Sequence, residues 1–530
     1  VSDKKLPIYT LDIETDPFVS GRKPKPFCIG LFDGQVFTSF WGNKCIEQMR
    51  DYIQTLPKGV IYLHNGGRFD IFYLMEWVIG NPMKIINGRI VKSEMHGVRH
   101  QLRDSYAIMP FALGSFGGKD GKLDIDYKLM EAGIREDYKD EILVYLKRDV
   151  TLLWRLCVEF VDMFGMKLTI GGTAMGELRK VHNFERLTLD EDKPLRERYF
   201  YGGRVECFES GVIEGSFKVY DVNSMYPHAM SSKLHPVGKP IYDGSKITKD
   251  TCFVTASGWN YGAFPSREKM GLTFKGEYGT YHVTRHEWNM AEHLGLFDCE
   301  RVISTINFDA QICFDEFVDK FYSLRMDAQA QGDEIKKLFY KLILNSSYGK
   351  FAQSSENYCE SRITEATEDL TSAGWECVNI ADIERDPRKC WLVWERPSLD
   401  ETMYNVATGS SITGAARAML MEAIHTAKRP IYCDTDSLIC EELGMGGISK
   451  ALGEWKLEAE CDKVAIAGKK LYALFNGGDL VKQANKGVNI TAAEILRVCE
   501  GETIKCIRDA PSFKLDGSHV FIDREVRMTV

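Results

Sequence analysis

The chain has fifteen cysteines in 530 residues, but the count is odd and no two of them form a Cys-x2-Cys pair. That argues against a disulfide framework and a zinc ribbon, and for the reduced, scattered thiols of a cytosolic protein. No uninterrupted apolar run reaches transmembrane length, and no charged-then-apolar signal pattern stands at the amino end. A soluble intracellular protein with no membrane partner is therefore expected. Internal repeats and low-complexity segments are also missing, which excludes repeat arrays. Net positive charge is absent as well: 67 Lys and Arg against 76 Asp and Glu leave −9. A protein gripping a polyanion is expected to present basic surface, and residues 461–488 offer one, with Lys463, Lys469, Lys470, Lys482 and Lys486 against two acids. At 44% hydrophobic the chain can bury several cores, and its length suggests three or four modules.

What is present is acid where burial is expected. Tyr432-Cys433-Asp434-Thr435-Asp436-Ser437 sets two carboxylates one residue apart, between apolar Pro430-Ile431 and Leu438-Ile439. Paired carboxylates in a burial-prone strand repel one another and resist desolvation unless cations or protons compensate them. A solvated hairpin tip is the plainer alternative. Asp221, at the end of the strand-like run Lys218-Val219-Tyr220, supplies a third carboxylate. Between these sites, Lys337, Lys341 and Asn345 recur every four residues with Tyr348 three further on, opposite apolar Leu338, Phe339, Leu342 and Ile343, and Gly349 is the expected stop. Two cations, an amide and a ring on one stripe suit a nucleoside triphosphate.

The amino-terminal part holds a second acidic set. Ile8 to Thr15 alternates as a half-buried strand, so Asp12 and Glu14 point the same way. Val60 to Leu63 is another strand, leading through His64-Asn65-Gly66-Gly67 to Asp70, while Tyr145 and Asp149 share one face of a helix. Asp12, Glu14, Asp70 and Asp149 can converge on two metals, which is nuclease chemistry.

Asp221-x2-Ser-Met-Tyr-Pro, Lys341-x3-Asn-Ser-x-Tyr-Gly and Tyr432-x-Asp-Thr-Asp-Ser resemble the three polymerase motifs of family B DNA polymerases, in the family's order. Lys470-Leu471-Tyr472 is similar to the family's Lys-x-Tyr primer-end motif, and Phe200-Tyr201-Gly202-Gly203-Arg204 to the linker motif of its protein-primed branch, with Phe in place of the usual first Tyr. Longer runs, including His64 to Asp70, Ile170 to Met175 and Tyr220 to Met230, look most like tectivirus-type bacteriophage polymerases, and the likeness spans roughly residues 6–490. The acidic set of the amino-terminal part resembles the exonuclease motifs of proofreading members, with Asn65 and Asp70 in the second and Tyr145 and Asp149 in the third. By that likeness Tyr145 orients the attacking water and Lys122 assists. Ser115-Phe116 resembles a single-strand-binding motif, and Thr413 with Arg417 a template-contacting one, for which a solvated helix face is an equal alternative.

The resemblance implies a multidomain α/β and α+β protein: an RNase H-like exonuclease domain followed by a right-hand polymerase of palm, fingers and thumb with two insertions. The expected division is exonuclease 1–165, linker and start of palm 166–204 with an interdomain joint at Gly165 to Gly176, palm 205–260, a first insertion contacting a terminal protein 261–330, fingers helix 331–353, a strand-displacement insertion 354–404, palm 405–460, and palm end with thumb 461–530. It further implies a DNA-directed DNA polymerase with 3′→5′ exonuclease, starting from a terminal protein on a linear genome and acting as a monomer in the cytoplasm of an infected bacterium. Its partners would be primer-template and single-stranded DNA, deoxynucleoside triphosphates and that terminal protein. Two Mg²⁺ ions, for which Mn²⁺ can substitute, would sit at each centre: on Asp221, Asp436 and Asp434 for synthesis, and on Asp12, Glu14, Asp70 and Asp149 for degradation. Ser224, Tyr226, Lys337, Lys341, Asn345, Tyr348 and Thr435 would meet the nucleotide, and Lys470, Tyr472, Arg204 and Asn65 the DNA. The competing readings are a polymerase using ordinary primers or none, an exonuclease alone, and a non-catalytic DNA-binding remnant; a remnant is expected to have lost at least one of the seven metal carboxylates, and all seven are present.

Overall fold

The computed structural model describes residues 6–529 except 116–120, 243, 270, 354–357, 382–388, 398–404, 447 and 508–509; Phe116 thus lies outside the described residues. Two large sheets organise the molecule. The first has ten strands in the order Glu376–Ala381, Trp391–Pro397, Tyr358–Glu365, Met83–Ile86, Arg89–Glu94, Gln101–Asp104, Val60–Leu63, Ile8–Thr15, Pro26–Phe32 and Phe37–Trp41. Val60–Leu63 runs parallel to both of its neighbours and the other pairs are antiparallel. The long helix Lys139–Phe164 packs on the central strands, where Thr10 Oγ1 donates to Val150 O at 2.7 Å. Ile8–Thr15 is therefore covered on both faces rather than alternating: only Ile8 and Asp12 keep partial exposure.

The second sheet is antiparallel, with seven strands in the order Asp479–Asn485, Leu471–Asn476, Trp455–Gly468, Gly211–Val222, Ser437–Glu442, Lys428–Asp434 and Val205–Cys207. Helix Val406–Thr426 closes its back through Leu420 and Ala423 against Tyr220 and Leu438. A four-stranded sheet spanning Pro240 to Phe308 and an antiparallel helix pair, Asp315–Ala330 with Glu334–Phe351, stand beside it.

The expected divisions do not all follow these elements. Position 260/261 falls inside Thr251–Tyr261, because that strand pairs with Gly276–Thr284 and Phe297–Phe308 rather than with the strand carrying Asp221. Helix Asp315–Ala330 belongs with Glu334–Phe351 and not with the sheet before it. Within the expected insertion 354–404, the strands Tyr358–Glu365, Glu376–Ala381 and Trp391–Pro397 extend the edge of the first sheet at Met83–Ile86. The Gly-rich joint is mostly helix, Ile170–Val181, started by Thr169, whose Oγ1 accepts from Gly172 N. The helix packs on Glu334–Phe351, and that tertiary contact offsets the poor helix propensity of its glycines. Helix Glu334–Phe351 runs through Gly349 to Phe351. All fifteen cysteines are free thiols, and among the described residues no helix is long and apolar enough to cross a membrane.

Candidate active sites

The seven-stranded sheet brings the first acidic set together by register. Ser437 pairs across from Asp221, and Asp434 with Ser437 closes a two-residue turn at Thr435-Asp436. Thr435 takes φ +62°, and Val222 N donates to Asp436 O at 2.8 Å. Such a turn is strained for a β-branched residue. It is held by Thr435 N donating to Arg204 O at 2.7 Å and by Gly203, where a Cβ would lie 2.9 Å from the Thr435 side chain. Burial, then Asp436 and then Glu458, push the Asp221 carboxyl up to about 6; burial also raises Asp436. Lys470 Nζ bonds Asp434, Lys470 N donates to Tyr432 Oη at 2.9 Å, and Tyr472 packs on the Tyr432 ring.

On the nucleotide side, Tyr226 and Tyr348 stack with ring centroids 3.9 Å apart and planes 8° off parallel. Lys337, Lys341 and Asn345 line the open side of their helix, Lys337 bonding Glu334 at 3.0 Å. Ser224, at φ +56°, accepts from Arg325 Nη1 at 3.3 Å.

Two expected contacts are corrected. Arg204 is buried, with Nε on Glu206 at 2.5 Å and its guanidinium 4.2 Å over the Phe274 ring, so its side chain does not face a strand. Thr413 and Arg417 are neither template-facing nor solvated. Arg417, 2% exposed, donates to Glu287 Oε1 at 2.7 Å and to Tyr201 O and Gly202 O at 2.8 Å, and so ties helix Val406–Thr426 to the linker loop and to helix Arg285–Leu294. Sequence reasoning missed Glu458 and Lys456, and gave Lys482 only as part of a basic stretch. Glu458 accepts from Lys482 at 2.8 Å and Lys456 at 3.1 Å, and Lys456 pairs across from Asp221. Arg325 was also missed, and only tertiary contact brings it to Ser224.

The second set lines a cleft of about 1900 Å³. Asp12 and Glu14 come from the central strand, Asp70 opens the helix Asp70–Tyr73, and Tyr145 and Asp149 come from the long helix. Ile13 N donates to Asp70 Oδ1 at 3.2 Å, which ties two of these elements. Burial and then Asp149 raise Asp12 to about 6; burial followed by Asp12 pushes both Glu14 and Asp70 well up. Lys122 Nζ meets Asp149 Oδ2 at 2.5 Å, and Tyr145 Oη lies 3.3 Å from Tyr127 Oη. Asn65 sits at φ +61° with Oδ1 accepting from Arg89 Nη1 at 2.8 Å, and Arg89 also pairs with Asp104. Gly67 allows that turn, since a Cβ there would lie 2.0 Å from Ile90 O.

Both sets offer hard oxygen donors, which suit Mg²⁺ or Mn²⁺. Asp149 Oδ1 is buried with no partner, as expected of an oxygen reserved for a cation. Among the described residues no three acidic, imidazole or thiol groups form a closed cage as they stand, and Lys122 and Lys470 lie on Asp149 and Asp434.

Residues 119–450 match the family model described as DNA polymerase type B, organellar and viral. The DNA-directed DNA polymerase of Enterobacteria phage PRD1 is 44% identical over 98% of both chains. Phi29 DNA polymerase solved with primer-template DNA aligns at TM-score 0.75 and 19% identity, and the same enzyme solved with single-stranded DNA at 0.73 and 18%, each covering 99% of this chain and 100% of the other. Two sheets bearing separate carboxylate sets thus sit in the multidomain α/β fold of these polymerases. The chain belongs to the organellar and viral type B DNA polymerases, and within them it is a DNA-directed DNA polymerase of the protein-primed viral type.

Proposed function

We propose that the chain extends DNA at Asp221, Asp434 and Asp436, trims 3′ ends at Asp12, Glu14, Asp70 and Asp149, and begins synthesis on a terminal protein. The observation that carries the reading is the presence of two separate carboxylate sets, one gathered at the seven-stranded sheet and one at the ten-stranded sheet, with burial raising Asp221 and Asp12 to about 6. In this reading Asp221 and Asp436 form the palm's metal platform, with Asp434 beside them, and the trimming set works in the exonuclease domain. Two Mg²⁺ ions at each centre, when bound, activate the attacking oxygen and neutralise the leaving one. Lys337 and Lys341 on the fingers helix hold the triphosphate, and Asn345 and Ser224 orient it. Tyr226, braced by Tyr348, lies under the sugar and excludes a 2′-hydroxyl by overlap. Lys470 and Tyr472 fix the primer end beside Asp434. In the exonuclease, Lys122 balances Asp149 and Tyr145 orients the water.

Primer-template and single-stranded DNA on the solved relatives support DNA as the substrate of both centres. The four-stranded sheet spanning Pro240 to Phe308 is the proposed contact for the terminal protein, with the protein acting as a monomer in the cytoplasm of an infected bacterial cell. Incubation with candidate terminal proteins, one labelled deoxynucleotide and Mg²⁺ tests priming: a covalent protein-nucleotide product is expected. Extension of ordinary primers without such a product would leave the polymerase and remove the priming.

A further inference from the structure

The last strands of the chain reach the exonuclease cleft. Ser512–Phe513 pairs with His519–Val520 in a short hairpin, and residues 510–516 stand in the same cleft wall as Asp12, Glu14, Asp70 and Asp149. Phe513, 9% exposed, stacks on Phe72 with centroids 5.4 Å apart at 18°, and meets Phe69 and Tyr73 edge-on at 5.7 and 5.6 Å. Those three rings flank or belong to Asp70–Tyr73, a helix of four residues with no side-chain N-cap, whose first residue is the carboxylate. So short a helix has almost no stability of its own. The position of Asp70 therefore depends on what packs against it. A second tether joins the hairpin to the rim of the ten-stranded sheet, where Asn379 Nδ2 donates to Asp516 Oδ2 at 2.7 Å. Lys514 is exposed in the cleft wall.

We infer that the carboxy-terminal hairpin 512–520 is part of the exonuclease site, with Phe513 as a positioning residue that fixes Asp70 through Phe69, Phe72 and Tyr73, and Lys514 as a cation for the phosphodiester backbone of the strand being trimmed. The inference rests on the exonuclease reading above. A carboxylate displaced by about an ångström costs a metal-dependent reaction roughly a hundredfold. A lysine on a backbone phosphate instead changes binding, and does so in a salt-dependent way.

The full chain carrying Phe513→Ala, Phe513→Leu, Phe513→Trp or Lys514→Ala separates these roles, with single-strand degradation and primer extension measured side by side below the melting range. Phe513→Ala is expected to lower the exonuclease kcat by roughly 10- to 100-fold with little change in KM and with extension retained. Phe513→Trp should recover most of the rate, and Phe513→Leu, which keeps the apolar plug, should fall between. Lys514→Ala should raise KM at low salt, with the difference fading as salt rises. An unchanged kcat in Phe513→Ala, with only a lowered Tm, would overturn the positioning role, as would a Trp variant no better than Ala. Wild-type protein that degrades nothing would remove the exonuclease reading and this inference with it, whereas wild-type degradation untouched by any hairpin variant would remove the inference alone.

Discussion

Single carboxylates set the balance between stability and function. Asp12 is held at about 6 against an ordinary 3.8 by burial and by Asp149. The folded chain therefore keeps a proton that the unfolded chain releases. The stability so gained is full below pH 3.8 and is lost as pH rises through about 6. At pH 7.5 without metal this site costs roughly 3 kcal/mol, at about 1.4 kcal/mol per pKa unit. Asp12→Asn should accordingly raise the Tm of the metal-free protein at pH 7.5 while ending single-strand degradation; calorimetry in chelator checks it, and an unchanged or lower Tm would count against a buried charge there. Tyr226→Val removes the ring that Tyr348 braces, and ribonucleotide incorporation should rise roughly tenfold or more. Unchanged sugar discrimination would make Tyr226 a packing residue only. The acids were legible in the sequence because two carboxylates in an apolar strand contradict their surroundings. Glu458, Lys456 and Arg325 were not, because ordinary surface-type charges become site residues only once strand register and helix packing place them.

Elements were legible where local periodicity and tertiary demand agree. The Tyr145–Asp149 helix and the Lys337–Tyr348 stripe lie where fourfold spacing puts them, and Ile8–Thr15 is the expected strand although burial on both faces removes its alternation. The segment from Gly165 to Gly176 misleads, because its glycines signal a loop locally while packing on Glu334–Phe351 holds most of it as helix. Helix Val406–Thr426 misleads in another way: a Thr and an Arg four apart suggest an exposed face, yet Arg417 lies inside, bonded to Glu287 and two linker carbonyls. Removing one partner of a buried ion pair strands the other charge. Glu287→Ala should therefore destabilise the protein by about 3–5 kcal/mol, read as a shift in denaturant midpoint, with Glu287→Gln costing less. A surface-sized effect, below about 1 kcal/mol, would contradict the burial of Arg417.

At the scale of the whole molecule, the two sheets keep the two carboxylate sets apart while long-range pairings bind them into one body. Strands from 358–397 complete the edge of a sheet begun at Ile8, and Phe513 packs beside Asp70. No local pattern foretells such pairings, since they join segments hundreds of residues apart. The net charge of −9 is no obstacle, because charge is distributed: Lys456, Lys470 and Lys482 cluster at the first carboxylate set within an acidic chain. The most direct measurement of the central claim compares primer extension and single-strand degradation, each with Mg²⁺, in Asp436→Asn and in Asp12→Ala/Glu14→Ala. The account predicts that the first variant loses extension and keeps degradation, while the second does the reverse; loss of both activities by either well-folded variant, or of neither, would contradict two independent centres.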